Sequence, residues 1–117
     1  MHDYRRLDVW HRSRIFVLDI YRVTIGFPLE ERFGLTSQLR RAVVSIPSNI
    51  AEGAGRGTAG DFSRFVRVAI GSACEVETQL DLSFDLEFIP DKDHQRLLEE
   101  LGDIKAMLRG LERSLMN

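Results

Sequence analysis

Apolar residues recur at steps of three and four over four separate segments of the 117-residue chain, with polar residues between them. One-sided stripes of this kind are typical of amphipathic helices. The second segment shows the pattern most clearly, with the stripe Leu35, Leu39, Ala42, Val43, Ile46 and Ile50. Because no segment alternates with the two-residue period of a strand, the pattern predicts an all-α protein with helices at roughly 9–24, 35–53, 58–86 and 91–116.

The predicted helix ends carry residues that favour initiation or termination. Asp8 is expected to cap the first helix, and the stretch Gly26–Pro28 to end it. Thr58 and Asp61 have the spacing of a capping box at the start of the third helix. The fourth helix carries a heptad seam, made of Leu97, Leu101, Ile104, Leu108, Leu111 and Leu115. Four helices joined by short connections predict a single domain over residues 1–117, folded as an antiparallel up-and-down four-helix bundle.

Pro47 lies inside the predicted second helix, where it has no N–H to donate to the carbonyl of Val43. We therefore expect a kink at this point, and two interpretations of it stay open. The kink wraps the helix around its neighbours, or the freed carbonyl and the side chains of Ser45, Ser48 and Asn49 form a polar site. The contacts of these three side chains distinguish the two interpretations.

The second helix ends in a glycine-rich stretch, GAGRGTAGD, at positions 53–61. A glycine-rich loop before a helix can cradle phosphate with its backbone N–H groups. This loop follows a helix rather than a strand, and it matches neither the P-loop nor the dinucleotide-binding spacing. A mobile connection between helices is therefore the favoured interpretation, and a phosphate cradle is the alternative.

The composition, 44% hydrophobic and 29% charged, is that of a globular protein. No apolar run reaches about 18 residues, so no membrane span is expected. The first ten residues, MHDYRRLDVW, lack the apolar core of a signal peptide. The single cysteine, Cys74, excludes an internal disulfide and suits a reducing compartment, so we expect a cytoplasmic protein.

Charge is distributed unevenly, although the net charge is only −2. Residues 1–67 carry 11 arginines against 7 carboxylates, a balance of +4, whereas residues 68–117 carry 5 basic and 11 acidic residues, a balance of −6. Arginine supplies 14 of the 16 basic residues, and its planar fork suits both phosphates and carboxylates. The asymmetry fits nucleic acid bound to the basic half, and it fits equally well two halves of one bundle, or two subunits, that attract each other.

No set of residues has the spacing of a catalytic or metal site. The three histidines are scattered, and the Glu-x-x-His pair that di-iron bundles require does not occur. Glu52 is expected to cap a helix or to pair with an arginine such as Arg56, and Cys74 to be a small buried or interface residue. The sequence therefore predicts no enzyme, no metal and no cofactor. An enzyme built around Glu52, Asn49 and the Pro47 kink is a third alternative.

Several segments resemble one known family. They are LDVWHRS at 7–13, the pattern Ile20, Tyr21, Thr24, Phe27 and Pro28, GLTSQLRRAVVSIPSNIAEGAGR at 34–56, and FSRFVRVAIGSACEVETQL at 62–80. Together they resemble the four-helix bundle proteins encoded by intervening sequences of bacterial 23S ribosomal RNA genes, sometimes labelled S23 ribosomal protein. The likeness covers about residues 7–90, and the last helix matches only in its apolar pattern.

The resemblance implies a bundle that assembles into a ring-shaped homopentamer. The family also resembles the accessory protein of diversity-generating retroelements, a basic pentameric ring that binds nucleic acid and a reverse transcriptase. By that analogy, Arg40, Arg41 and Arg56 would line a surface that faces nucleic acid. This chain departs from the basic relative, because its pI is near 5.9.

The leading hypothesis is a non-enzymatic, oligomeric bundle that binds structured RNA or DNA, or that scaffolds a nucleic-acid enzyme. The residues expected to contact phosphate are Arg40, Arg41, Arg56, Arg64 and Arg67. The alternative is a structural or protein–protein interaction module with no nucleic-acid binding. In that module the arginines pair with acidic residues such as Glu75 and Glu77 across helices or subunits.

Overall fold

The computed structural model describes residues 2–116 and contains four long helices. They are α1 (Asp8–Thr24), α2 (Leu35–Ala54), α3 (Ala59–Asp85) and α4 (Asp91–Leu115), with short 3-10 turns at Tyr4–Arg6 and Leu29–Glu31. Met1 and Asn117, the two ends of the predicted domain, lie outside the described residues. No strand occurs within residues 2–116, so the all-α prediction is confirmed.

Each helix packs against the helix before it in sequence, and α4 closes the bundle against α1. Ion pairs between α1 and α4 show the relative direction of these two helices. Arg12 contacts Glu100, with 3.2 Å between the arginine Nε and the carboxylate. Asp19, further along α1, contacts Arg96, which comes earlier in α4. The two helices therefore run antiparallel, and the fold is the up-and-down four-helix bundle expected from the sequence.

The apolar stripes of the sequence form one core. In α2, Leu39, Val43, Ile46 and Ile50 have no exposed surface, and α4 buries Leu97, Leu101, Ile104 and Leu108 to within 1%. The heptad seam weakens at its end, because Leu111 and Leu115 in the final turns of α4 are only half-buried. Within residues 2–116, no helix combines the length and apolarity that crossing a bilayer requires.

The structure contradicts one predicted helix cap and confirms another. The Asp8 cap is wrong, because Leu7 is the N-cap residue of α1 and Asp8 is the first helical residue, where its charge favours the helix N-terminus. The Thr58 cap is confirmed, since its hydroxyl accepts a hydrogen bond from the Asp61 N–H at 3.2 Å. The Asp61 carboxylate lies 3.6 Å from Arg64.

α2 continues through Pro47 as one helix, and the polar groups beside the proline join α2 to α3. The Asn49 amide donates to the carbonyl of Ser45 at 2.8 Å and to its hydroxyl at 2.9 Å. The Ser45 hydroxyl is also hydrogen-bonded to that of Ser72 on α3, at 2.8 Å. Because Ser45 and Asn49 are engaged in contacts within the bundle, the structural interpretation of the Pro47 region is favoured.

α2 and α3 approach each other closely at Gly53, one residue before the end of α2. A Cβ atom placed on Gly53 would lie 2.7 Å from the Cβ of Phe65 and 3.0 Å from the Phe62 ring. Real Cβ atoms do not come this close to backbone-anchored atoms, so only glycine fits between the two phenylalanines. Gly71, in the middle of α3, has open space in the same position.

We expect Gly53→Ala to destabilise the bundle by about 1–2 kcal/mol, because the added methyl forces α2 and α3 apart and outweighs the better helix propensity of alanine. The matched control is Gly71→Ala, where nothing opposes the propensity gain of up to about 1 kcal/mol. Urea unfolding followed by circular dichroism measures both. Equal stabilities for the two variants would show that the approach at Gly53 is not tight.

Candidate nucleic-acid interface

The five arginines expected to contact phosphate fall into two separate groups. Arg40 and Arg41 lie in the first half of α2, whereas Arg56, Arg64 and Arg67 lie where α2 connects to α3. Arg41 and Arg56 are 15 residues apart. At the helical rise of 1.5 Å per residue they are separated by about 20 Å along the bundle. One phosphate group cannot contact both sets.

Carboxylates accompany the three arginines beside the α2–α3 connection. Arg56 lies 2.7 Å from Glu52, Arg64 lies 3.6 Å from Asp61, and Arg67 lies 3.7 Å from Glu112. The predicted pairing of Glu52 with Arg56 is thus confirmed. Arg56 and Arg64 each lie 4.8 Å from the centre of the Phe65 ring. These exposed pairs are worth about 1 kcal/mol or less, so they reduce the local positive charge without fixing the arginines firmly.

Arg40 is held against α1 by its neighbours. Its Nε donates a hydrogen bond of 2.8 Å to the buried hydroxyl of Thr24, and its terminal nitrogen donates to the carbonyl of Tyr21 at 3.3 Å. The guanidinium also lies 4.5 Å from the centre of the Tyr21 ring. Arg40 therefore contributes to the α1–α2 contact as well as to the surface charge.

Arg41 is exposed and has no hydrogen bond or ion pair to another described residue. It lies on the outer ridge of α2, where it lines one groove toward α1 and another toward α3. The groove toward α3 also contains Glu75. Glu77 pairs with Lys105 at 2.6 Å rather than with an arginine. The free guanidinium of Arg41 is therefore the more accessible member of the predicted Arg40–Arg41 pair.

Three arginines converge on the groove between α1 and α2, which we call the arginine groove. It has a volume of about 530 Å³ and is lined by Tyr21, Arg32, Thr36, Ser37, Arg40, Arg41, Val44 and Ser45. None of these residues is acidic. The lining presents guanidinium and hydroxyl groups, which donate hydrogen bonds readily to an anion. The groove is therefore suited to a phosphate or a carboxylate.

Arg32 and Tyr21 were not among the predicted site residues. Arg32 lies in the connection before α2, outside the helix that carries Arg40 and Arg41, so helical periodicity could not bring it into the site. The local signal was the Arg32–Phe33 pair after two glutamates, a basic and aromatic step in an acidic connection. Tyr21 is 38% exposed and lines the groove with its ring.

Two further arginines are committed to the contact between α1 and α4. Hydrogen bonds to Glu100 and Asp103 raise the pKa of Arg12, and a hydrogen bond to Asp19 raises the pKa of Arg96. Each carboxylate stabilises the protonated guanidinium beside it. These pairs join helices and leave the arginine groove on another side of α1.

Among the described residues, no group of histidine, cysteine, aspartate and glutamate side chains could hold a metal ion. Cys74 is exposed on α3 beside Gly71 and Glu75, so it is not buried within the bundle, and its place at an interface stays a prediction. Glu52, the carboxylate of the enzymatic alternative, is engaged by Arg56.

These features define an antiparallel four-helix bundle protein with an anion-receptive groove between its first two helices. Residues 5–110 match the model of the family described as 23S rRNA-intervening sequence protein, so the chain belongs to that family. This confirms the resemblance seen in the sequence. The function of the family is unknown, and nothing in the comparisons indicates enzyme activity.

A crystal structure shows the same fold in a protein of unknown function from the S23 ribosomal protein family of Bacteroides thetaiotaomicron. The two chains are 24% identical with a TM-score of 0.83, over 90% of this chain and 95% of the other. No curated protein matches the chain.

The contacts of Arg40 and Arg41 predict different effects on stability. We expect Arg40→Ala to cost about 1–2 kcal/mol, because it removes the charged hydrogen bond to Thr24 and the contact with the Tyr21 ring. Arg41→Ala should change the free energy of unfolding by less than about 0.5 kcal/mol. Chemical denaturation of both variants tests this. A larger loss for Arg41→Ala would mean that Arg41 has a structural partner.

Proposed function

We propose that the protein is a non-enzymatic, self-associating bundle that binds structured nucleic acid through the arginine groove. The observation that carries the proposal is the convergence of Arg32, Arg40 and Arg41 on one groove with no carboxylate in its lining. Phosphate contacts supply most of the affinity of proteins for nucleic acid, and arginine can engage a phosphate with two parallel hydrogen bonds.

The family description supports RNA as the first ligand to test, since it associates these proteins with intervening sequences of 23S rRNA. We place the activity in the cytoplasm, which suits a chain whose single cysteine is exposed and free. Arg56, Arg64 and Arg67 form a second contact area about 20 Å away along the bundle, close to the span of six base pairs of a duplex. Their carboxylate partners make this area the weaker of the two.

A second candidate function, a protein-interaction module that binds no nucleic acid, is favoured by the outer surface of α1. Leu18 is 49% exposed and Ile25 is 77% exposed, and both lie within one helical turn of Tyr21. Adjacent exposed apolar side chains often mark an association surface. A homopentamer, which the resemblance implies, or a docked nucleic-acid enzyme would cover them.

We expect the double variant Arg32→Glu/Arg41→Glu to bind a stem–loop RNA at least 10-fold more weakly than the native chain, since two phosphate contacts become repulsive. The slope of log affinity against log salt should fall by about 1 for each lost contact. Fluorescence anisotropy over a salt series measures both quantities. Neither arginine has an ion-pair partner among the described residues, so the fold should remain intact.

The matched control is the double variant Lys92→Glu/Arg109→Glu, an equal charge change at two exposed positions on α4. Oligomer mass is determined in the same samples by light scattering. Unchanged affinity of the double variant would refute the arginine groove as the binding surface. A changed oligomer mass with no RNA binding by the native chain would favour the protein-interaction module.

A further inference from the structure

We infer that the arginine groove takes one unpaired nucleotide of a loop or bulge, with its phosphate on Arg32 and Arg41 and its base stacked on the neighbouring aromatic surfaces. This inference rests on the proposed function and names the class of nucleic acid that the groove recognises. It separates two modes of binding that the positive charge alone does not distinguish, contact with a paired backbone and capture of a single nucleotide.

The dimensions of the groove favour the binding of a single nucleotide. Its volume of about 530 Å³ lies within the range of about 300–1,000 Å³ typical of small-ligand sites. A duplex backbone presents a continuous line of phosphates and is followed best by an extended basic track. The three arginines instead line one open groove, and the next arginine in sequence, Arg56, lies about 20 Å away.

Two of the arginines that line the groove each lie over an aromatic ring. Arg40 lies 4.5 Å from the centre of the Tyr21 ring, which forms part of the lining. Arg32 lies 4.7 Å from the centre of the Phe33 ring. Bases stack on the guanidinium planes of arginines as well as on aromatic side chains, so both kinds of surface are present near the groove.

Phe33 is the most informative of these side chains, because 84% of its surface is exposed. It belongs to the connection between α1 and α2 and contributes nothing to the core. Phe33 contacts Arg32, which lines the groove, and its exposed ring offers a stacking face at no cost in packing. Bases in a duplex are stacked on each other and cannot use this face, whereas bases in loops and bulges can.

The test compares a stem–loop RNA with a fully paired duplex of equal length and equal phosphate number. We expect the native chain to prefer the stem–loop, and Phe33→Leu to reduce stem–loop affinity by roughly 5-fold or more, the effect of losing one stacked base. Duplex affinity should not change. A 2-aminopurine placed in the loop should lose fluorescence when it binds the native chain, because stacking quenches it.

Two controls separate stacking from general changes. Phe33→Tyr keeps the aromatic face and should bind like the native chain. Leu29→Ala removes another apolar side chain of the same connection, which is 81% exposed, and should have no effect.

Equal affinity for stem–loop and duplex, together with no effect of Phe33→Leu, would overturn the inference and leave nucleic-acid binding by the groove intact. Binding of neither RNA would refute the proposed function itself. If Phe33→Leu changes the oligomer mass but not the RNA affinity, Phe33 contacts a second copy of the chain and the inference is wrong.

Discussion

The close packing of α2 on α3 is the constraint on which the rest of the bundle depends. Gly53 allows the two helices to approach at the positions of Phe62 and Phe65, and the hydroxyls of Ser45 and Ser72 join them near mid-length. Because these two contacts lie far apart on both helices, they determine the crossing angle and the register of α2 against α3. One side of α2 is thereby committed to α3, and the other side is left to meet α1.

The arginine groove follows from this commitment. α1 is the shorter partner and meets α2 through Thr24 and Tyr21, near its own C-terminal end. Arg40 bridges the two helices there, and Arg41, next in sequence, is turned outward by the helical rotation of about 100° per residue. A bundle core and a basic groove therefore use alternate faces of one helix. The stability of the core therefore determines the geometry of the groove.

The sequence predicted the helices more fully than the site. Apolar periodicity identifies α2 and α4 because burial depends on each residue's position around the helix, and nine of the twelve residues of those stripes are buried. No comparable rule predicts the contacts of charged residues. The sequence does not distinguish Arg40, Arg56 and Arg64 from one another. In the structure, Arg40 donates to the buried hydroxyl of Thr24, whereas Arg56 pairs with a glutamate and Arg64 with an aspartate. Tertiary contacts and local side-chain rotamers decide these partners, and the periodicity of the sequence predicts neither.

Arg32 is a site residue that the sequence could not identify. It joins the site from a non-helical connection, so neither its spacing from Arg41 nor any known motif relates the two residues. The bend of the chain at Gly34, whose backbone is not helical, brings the connection back over the start of α2. Only the packed structure could place Arg32 in the lining of the groove, with Phe33 in contact with it.

The acidic pI of the chain does not oppose a basic site, because the charges are separated in space. If the bundle is divided halfway along its helices, residues 17–44 carry four arginines and three carboxylates, a balance of +1. Residues 73–102, at the same end but on α3 and α4, carry two basic and nine acidic residues, a balance of −7.

Electrostatic interactions in solution fall off over about 8 Å at physiological salt, which is less than the thickness of the bundle. Its smallest dimension is 19 Å. A phosphate in the arginine groove is therefore governed by the arginines that line it. The carboxylates on α3 and α4 repel nucleic acid from the opposite side, so the net charge of −2 weakens general adhesion to nucleic acid while the groove keeps its attraction. Under the proposed function, this distribution of charge would direct nucleic acid to the arginine groove, so the pattern of charge is more informative here than the net charge.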